Sequence, residues 1–196
     1  MTVEVYLASG SPRRRKILQD LGWTVHIISV TTDERKYDYE TPEEYVRRAA
    51  EEKNRAAVEI MPAAQFPIIS ADTCVVIDNC VSGKPQDVDE AYQMLRRLSG
   101  REHRVLTAVS VSFQGACKTA VSESKVSFAE LSDENIRAYI KTGEPMDKAG
   151  AYGIQGIGGM FVRHLDGSFS GVTGLPVSET CCLVGTFLNS SLTVKN

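Results

Sequence analysis

The chain has 196 residues, a net charge of −3 at neutral pH, 42% hydrophobic side chains and 24% charged ones. That is enough chain for a sizeable core and too apolar a composition for wholesale disorder. The slightly acidic balance excludes a footprint for nonspecific binding along a nucleic-acid backbone, so any nucleotide chemistry must come from a local cluster of cations. A single domain over residues 1–196 is expected.

In chain order, residues 3–7 read as a short first strand that ends at Ala8-Ser-Gly-Ser-Pro12. Ser11 is placed to cap a helix and Pro12 suits its first position, with Gly22 as the stop. Residues 25–30 form the next strand candidate. Thr41-Pro-Glu-Glu44 is a capping box with Pro at the first helical position, which opens a long helix to about Met61. The β-branched run 68–77 reads as a strand buried on both faces. Asp87-Val-Asp-Glu90 opens a helix carrying Ala91, Met94, Leu95 and Leu98 and ending at Ser99-Gly100. Residues 103–113 and 118–128 flank Gln114-Gly115 as two long antiparallel strands. A helix from Ser132 to about Lys141 closes at Gly143, and Asp166-Gly167 predicts a hairpin joining 160–165 to 168–172. Pro176 starts a C-terminal helix. The fold class is α/β, with a mixed, partly antiparallel twisted sheet flanked by helices.

No stretch approaches the roughly 18–20 uninterrupted apolar residues of a membrane span, and the first residues carry no basic leader. No membrane partner and a cytoplasmic location are expected. Cys74, Cys80, Cys117, Cys181 and Cys182 make no CxxC pair and no Cys/His ligand cluster, which predicts reduced, buried thiols. His26, His103 and His164 are isolated in sequence and read as satisfied strand histidines.

Chemistry concentrates in a few segments. Arg13, Arg14 and Arg15 stand in the first turn of a helix, where their charge opposes the dipole. They form either a phosphate-binding turn, since arginine forks match phosphate oxygens, or a solvated basic turn. Lys53 shares the apolar stripe of the second helix with Val46, Ala49, Ala50 and Ala57. Its ammonium either snorkels to water or reaches an anion held by the sheet. Arg47, Arg48, Glu51 and Glu52 lie off that line as ordinary surface charges. Asp72 sits mid-strand in an apolar run with no basic neighbour, so it is paired with a distant residue, hydrogen-bonded or metal-bound. Lys84 lies in the Gly83-Lys-Pro85 turn. The glycine-rich segment 143–159 holds Asp147, Lys148 and Gln155, candidates for reading a base edge or binding phosphate.

Together, Ala8-Ser-Gly-Ser-Pro-Arg-Arg14, Ser70-Ala-Asp-Thr73, Gly83-Lys-Pro85, Met94-Leu-Arg-Arg-Leu-Ser-Gly100 with His103, Gly143-Glu-Pro-Met-Asp-Lys-Ala-Gly-Ala-Tyr-Gly-Ile-Gln-Gly156 and Gly174-Leu-Pro176 resemble the Maf family of nucleoside triphosphate pyrophosphatases. That family is related in fold to the inosine triphosphate pyrophosphatases. The blocks occur in the family's order and spread over nearly the whole chain. Gly171 departs from the pattern, standing where many members have Asn.

The resemblance implies hydrolysis of a nucleoside triphosphate to monophosphate and pyrophosphate with Mg²⁺ or Mn²⁺. By position it implies Asp72 as general base, Glu34 with Asp72 at the metal, and Ser9, Arg14, Lys53 and Lys84 on the phosphates. Arg13, Thr73 and Gln155 match positions tied to substrate choice, in a trio similar to the subfamily acting on dTTP and UTP. It also implies a homodimer and a sheet across a nucleotide cleft. Two alternatives stay open: a 7-methyl-GTP pyrophosphatase, and a nucleotide-binding regulator of cell division without productive hydrolysis.

Overall fold

The computed structural model describes residues 3–188. Its elements run β1 (Glu4–Leu7), α1 (Pro12–Asp20), β2 (Thr24–Ile27), α2 (Pro42–Ile60), β3 (Ile68–Ile77), β4 (Cys80–Ser82) and α3 (Val88–Leu98). The remainder are β5 (Glu102–Phe113), β6 (Ala116–Phe128), α4 (Asp133–Lys141), β7 (Val162–Asp166), α5 (Phe169–Thr173) and α6 (Val177–Leu188). The sheet order is β2-β1-β3-β5-β6-β7, with β4 pairing β3. β1 runs parallel to β2 and β3, whereas β4 on β3 and β7 on β6 are antiparallel. The mixed α/β fold expected from the sequence is therefore the observed one.

Local chemistry explains most boundaries. Thr41 accepts from the Glu44 N–H while the Glu44 carboxylate accepts from the Thr41 N–H, completing the capping box of α2. Asp87 and Ser132 cap α3 and α4 with a side-chain oxygen alone, accepting from the N–H groups of Glu90 and Asn135. Ser11 departs from expectation. Its side chain makes no cap, and its N–H instead donates to Ser9 Oγ at 3.2 Å. Asp78 and Asn79 turn β3 into β4 with φ of 53° and 58°, a conformation that short polar side chains tolerate.

Residues group into two compact units. The first comprises the chain up to Asp72, Thr107–Ser122, and the chain from Gly174 on. Alternation along β1 and β3 sends Val5, Leu7, Ile69 and Ala71 into a core with Leu18 of α1 and Val184 of α6. Ala8 and Ile68 pack instead with Ile28 and Ala57 of α2. The second unit comprises Thr73–Leu106 and Glu123–Thr173. There Val75, Ile77, Val105, Val126 and Phe128 pack against Leu95 of α3 and Ile136 and Tyr139 of α4.

Two expectations need correction. The hairpin at Asp166-Gly167 does not form. β7 pairs with β6, and residues 169–173 turn into α5 because Ser168 Oγ accepts from the Gly171 N–H at 3.0 Å as a cap. Ser124 fills the space that a side chain at residue 167 would need, at 2.6 Å from the position of a Cβ. The five cysteines are free, but only Cys74 is buried, while Cys80, Cys117 and Cys182 are exposed. Cys80 and Cys117 sit beside hairpin turns, where strands run out into solvent. All three histidines lie on strands. His103 is buried against Tyr152, whereas His26 and His164 are exposed.

Candidate active site

The centre of the site is the Lys53 ammonium, in the first unit. Its place in the apolar stripe of α2 buries it, and Nζ meets Asp72 Oδ1 at 2.6 Å and Glu34 Oε1 at 2.7 Å. Asp72 is equally buried at the end of the first unit's share of β3, while Glu34 is half exposed at 51%. Of the readings open for Lys53 and Asp72, the geometry selects mutual pairing. Two carboxylates on one ammonium leave the trio net negative, and Arg14 offsets this from α1, where it feels both Asp72 and Glu34. Burial lowers the Arg14 pKa and Arg13 lowers it further, while the two carboxylates oppose the shift.

Arg14 is held at both ends of its guanidinium. Nη1 donates to Ser9 Oγ at 3.0 Å and Nε donates to the Gly174 carbonyl at 2.7 Å. Ser9 Oγ thus accepts two hydrogen bonds and keeps its own proton to donate. Three segments far apart in sequence, around residues 9–14, 53–72 and 174, converge here. Arg13 lies beside Arg14 and is half-buried.

The Glu34 loop is held by α2. Tyr45 Oη donates to the Glu34 carbonyl at 3.0 Å. Arg48 is therefore not the ordinary surface charge expected. It pairs with Glu40, bonds Glu52 at 2.9 Å and the Arg35 carbonyl at 2.8 Å, and stacks 4.4 Å from the Tyr37 ring centroid. These contacts raise the Arg48 pKa and lower that of Glu40, in each case chiefly through their shared hydrogen bond. The capping box that starts α2 beside Glu40 was the signal that could have drawn attention to it.

Thr73, Lys84 and Gln155 belong to the second unit. Thr73 is the next residue after Asp72 on β3, so the two side chains leave opposite faces of the strand. Lys84 is exposed in a loop and Gln155 in a turn. The Gly150 N–H donates to the Gly83 carbonyl at 2.9 Å, tying the lysine turn to the glycine-rich segment. Only glycine fits at residue 150, where φ is +69° and a Cβ would lie 2.7 Å from Val75.

Sequence reading missed Glu144, the anchor of the Gln155 turn. Its carboxylate accepts from Tyr139 Oη (2.8 Å) and from the N–H groups of Ile157 (2.9 Å) and Gly158 (3.1 Å). Burial alone would raise the Glu144 pKa, but these donors and Lys148 outweigh it and lower the value. Lys148 donates to the Glu144 carbonyl and pairs with Asp147, so its ammonium is engaged within the segment.

Glu34 and Asp72 are the carboxylates of this site that could hold a hard divalent cation. Both offer carboxylate oxygens and already converge on one positive charge. Among the described residues no group of three or more His, Cys, Asp or Glu side chains assembles. The donor set therefore stops at two carboxylates, the number Mg²⁺ uses where substrate phosphates complete its shell.

The Maf-like protein family model matches residues 4–187. A dTTP/UTP pyrophosphatase of Neisseria meningitidis serogroup B is 49% identical over 187 residues, covering 92% of this chain and 92% of that protein. A dTTP/UTP pyrophosphatase of Pasteurella multocida is 47% identical over 191 residues, covering 94% and 96%. Among solved structures, a nucleoside-triphosphatase (dITP/XTP pyrophosphatase) of Mycobacterium abscessus aligns over 95% of this chain and 94% of its own, at 15% identity and a TM-score of 0.44. The chain belongs to the Maf-like proteins.

Proposed function

We propose that this chain hydrolyses nucleoside triphosphates, with dTTP and UTP preferred, to the nucleoside monophosphate and pyrophosphate. The observation that carries the proposal is the buried Lys53 ammonium held between Asp72 and Glu34 and joined by the Ser9–Arg14 turn. The activity for which the Neisseria and Pasteurella relatives are named supports the substrate.

In this reading water attacks the α-phosphorus. The new bond to the water oxygen forms as the bond to the bridging oxygen of the β-phosphate breaks, and pyrophosphate leaves with the electron pair. Asp72 accepts the proton of the attacking water. Ser9, Arg14, Lys53 and Lys84 bind the phosphates, and the three cations among them offset the charge that develops on the leaving group. Two N–H bonds of Lys53 go to carboxylates and the third remains for a phosphate oxygen. Glu34 and Asp72 would hold Mg²⁺ or Mn²⁺, which when bound screens phosphate charge and acidifies water. Arg13, Thr73 and Gln155 are assigned to base choice.

A homodimer in the cytoplasm completes the proposal. No helix among the described residues is long and apolar enough to cross a membrane, and sedimentation velocity would test the dimer.

The first experiment is pyrophosphate release from dTTP, UTP, CTP, GTP and 7-methyl-GTP with Mg²⁺, Mn²⁺ or chelator. Metal-dependent release led by dTTP and UTP is expected. Asp72→Asn should bind nucleotide, stay folded and lose turnover, and Gln155→Ala should change base preference more than phosphate affinity. Preference for 7-methyl-GTP would overturn the specificity. Tight binding without release by the native chain would make it a regulator.

A further inference from the structure

We propose that a cavity of about 510 Å³ between α2 and the tip of the β5–β6 hairpin, in the first unit, is a second ligand site for a small organic monoanion with an aromatic or apolar body. The volume lies within the range of small-molecule pockets. Lys53, Asp72 and Glu34 are not among its lining residues, so it is separate from the nucleotide site.

Its walls include Val58, Met61, Ile68 and Phe113, an apolar setting in which a polar atom needs a specific partner. Ser112 lines the same space, is 7% exposed, and its buried Oγ has no hydrogen-bond partner among the described residues. Two residues back on the same strand face, Ser110 Oγ is engaged by Cys117 at 3.3 Å and Thr119 at 3.1 Å. The Asn54 amide group is spent on the carbonyls of Ile68 and Ser110, at 3.0 Å and 3.1 Å. Ser112 thus keeps a buried hydroxyl without a protein partner at the cavity wall, which an anionic occupant would satisfy.

Charge narrows the occupant further. Arg55 lines the cavity and has no ion pair among the described residues. Arg47 reaches Glu51 only at 3.9 Å and the Thr119 carbonyl at 3.5 Å. Two guanidiniums against one carboxylate leave a single net positive charge, which a carboxylate or sulfonate matches and a phosphate dianion exceeds. The planar arginine fork suits two oxygens of such an anion, and the apolar wall accepts the rest of the molecule.

The test is a fluorescence titration of the full chain with 8-anilinonaphthalene-1-sulfonate, an aromatic monoanion. One site per chain is expected, unaffected by saturating dTTP and retained in Asp72→Asn. Arg55→Glu should weaken binding by about tenfold or more, and Ala116→Trp should abolish it by filling the cavity. Ser112→Ala should weaken binding without altering charge, and circular dichroism would verify that each variant is folded. Equal binding by all variants, or displacement of the dye by dTTP, would overturn the proposal. A signal that appears only on dilution of a dimer would also overturn it, by giving the face to a second copy.

Discussion

A lysine ammonium placed among Val46, Ala49, Ala50 and Ala57 would lose its hydration with nothing in return unless a counter-charge met it. Asp72 meets it from β3, so each residue accounts for the other's burial. Replacing Lys53 with Met leaves Asp72 buried and unpaired and should cost about 3–5 kcal/mol, read from urea unfolding. The double variant Lys53→Met/Asp72→Leu should recover most of that loss. His103 offers a second test at this scale. Burial pushes its pKa down to about 4, so the folded chain holds it neutral above that pH. The unfolded chain takes up the proton from near pH 6.5 downward. Stability is therefore intact above about pH 6.5 and falls toward pH 4, by about 3 kcal/mol over the whole window. Urea midpoints between pH 7 and 4.5 should show this slope, and His103→Gln should flatten it. Lys53 and Asp72 were each legible as anomalies, a charge on an apolar face and a charge in an apolar run. Their pairing was not, because 19 residues separate them.

At the scale of elements, α2 does more than pack. Its capping box sets where it begins, its stripe buries Lys53, and Tyr45 and Arg48 grip the loop that carries Glu34. Arg48→Met should free residues 31–40. Amide exchange should rise in that loop while the centre of α2 stays protected, and kcat/KM should fall with little change in the unfolding midpoint. Unchanged exchange would show that the loop holds itself. Caps and periodicity made α2, α3 and α4 readable to within about two residues, since both signals are local. Asp166-Gly167 misled because a turn dipeptide specifies a reversal of the chain but not the conformation of the next segment. Pairing of β7 to β6 and the Ser168 cap made residues 169–173 a helix.

For the molecule as a whole, the main apolar clusters of the two units have separate residue sets, Leu7 in the first unit's and Leu95 in the second's. β3, β5 and β6 run without a break from one unit into the other. Because three strands contribute residues to both units, one unfolding transition is expected for both. Leu7→Ala and Leu95→Ala should each cost about 2–5 kcal/mol and lower the same calorimetric peak. Two peaks, each moved by one variant only, would show independent units.

The amino-acid sequence by itself determined the order of elements, most helix starts and the residues whose chemistry is out of place. These depend on caps, turn residues and periods of 3.6 and 2, which act over a few neighbours. The family was also legible, since its motifs are short and ordered along the chain. Only the tertiary structure decided that Lys53 joins Asp72 to Glu34, that Arg14 spans Ser9 and Gly174, and that Arg48 grips a loop. It also decided that Cys117 faces solvent and that Ser112 faces a cavity. The physical reason is that burial and partner choice depend on which distant segments close on one another. Short-range patterning carries no record of that closure.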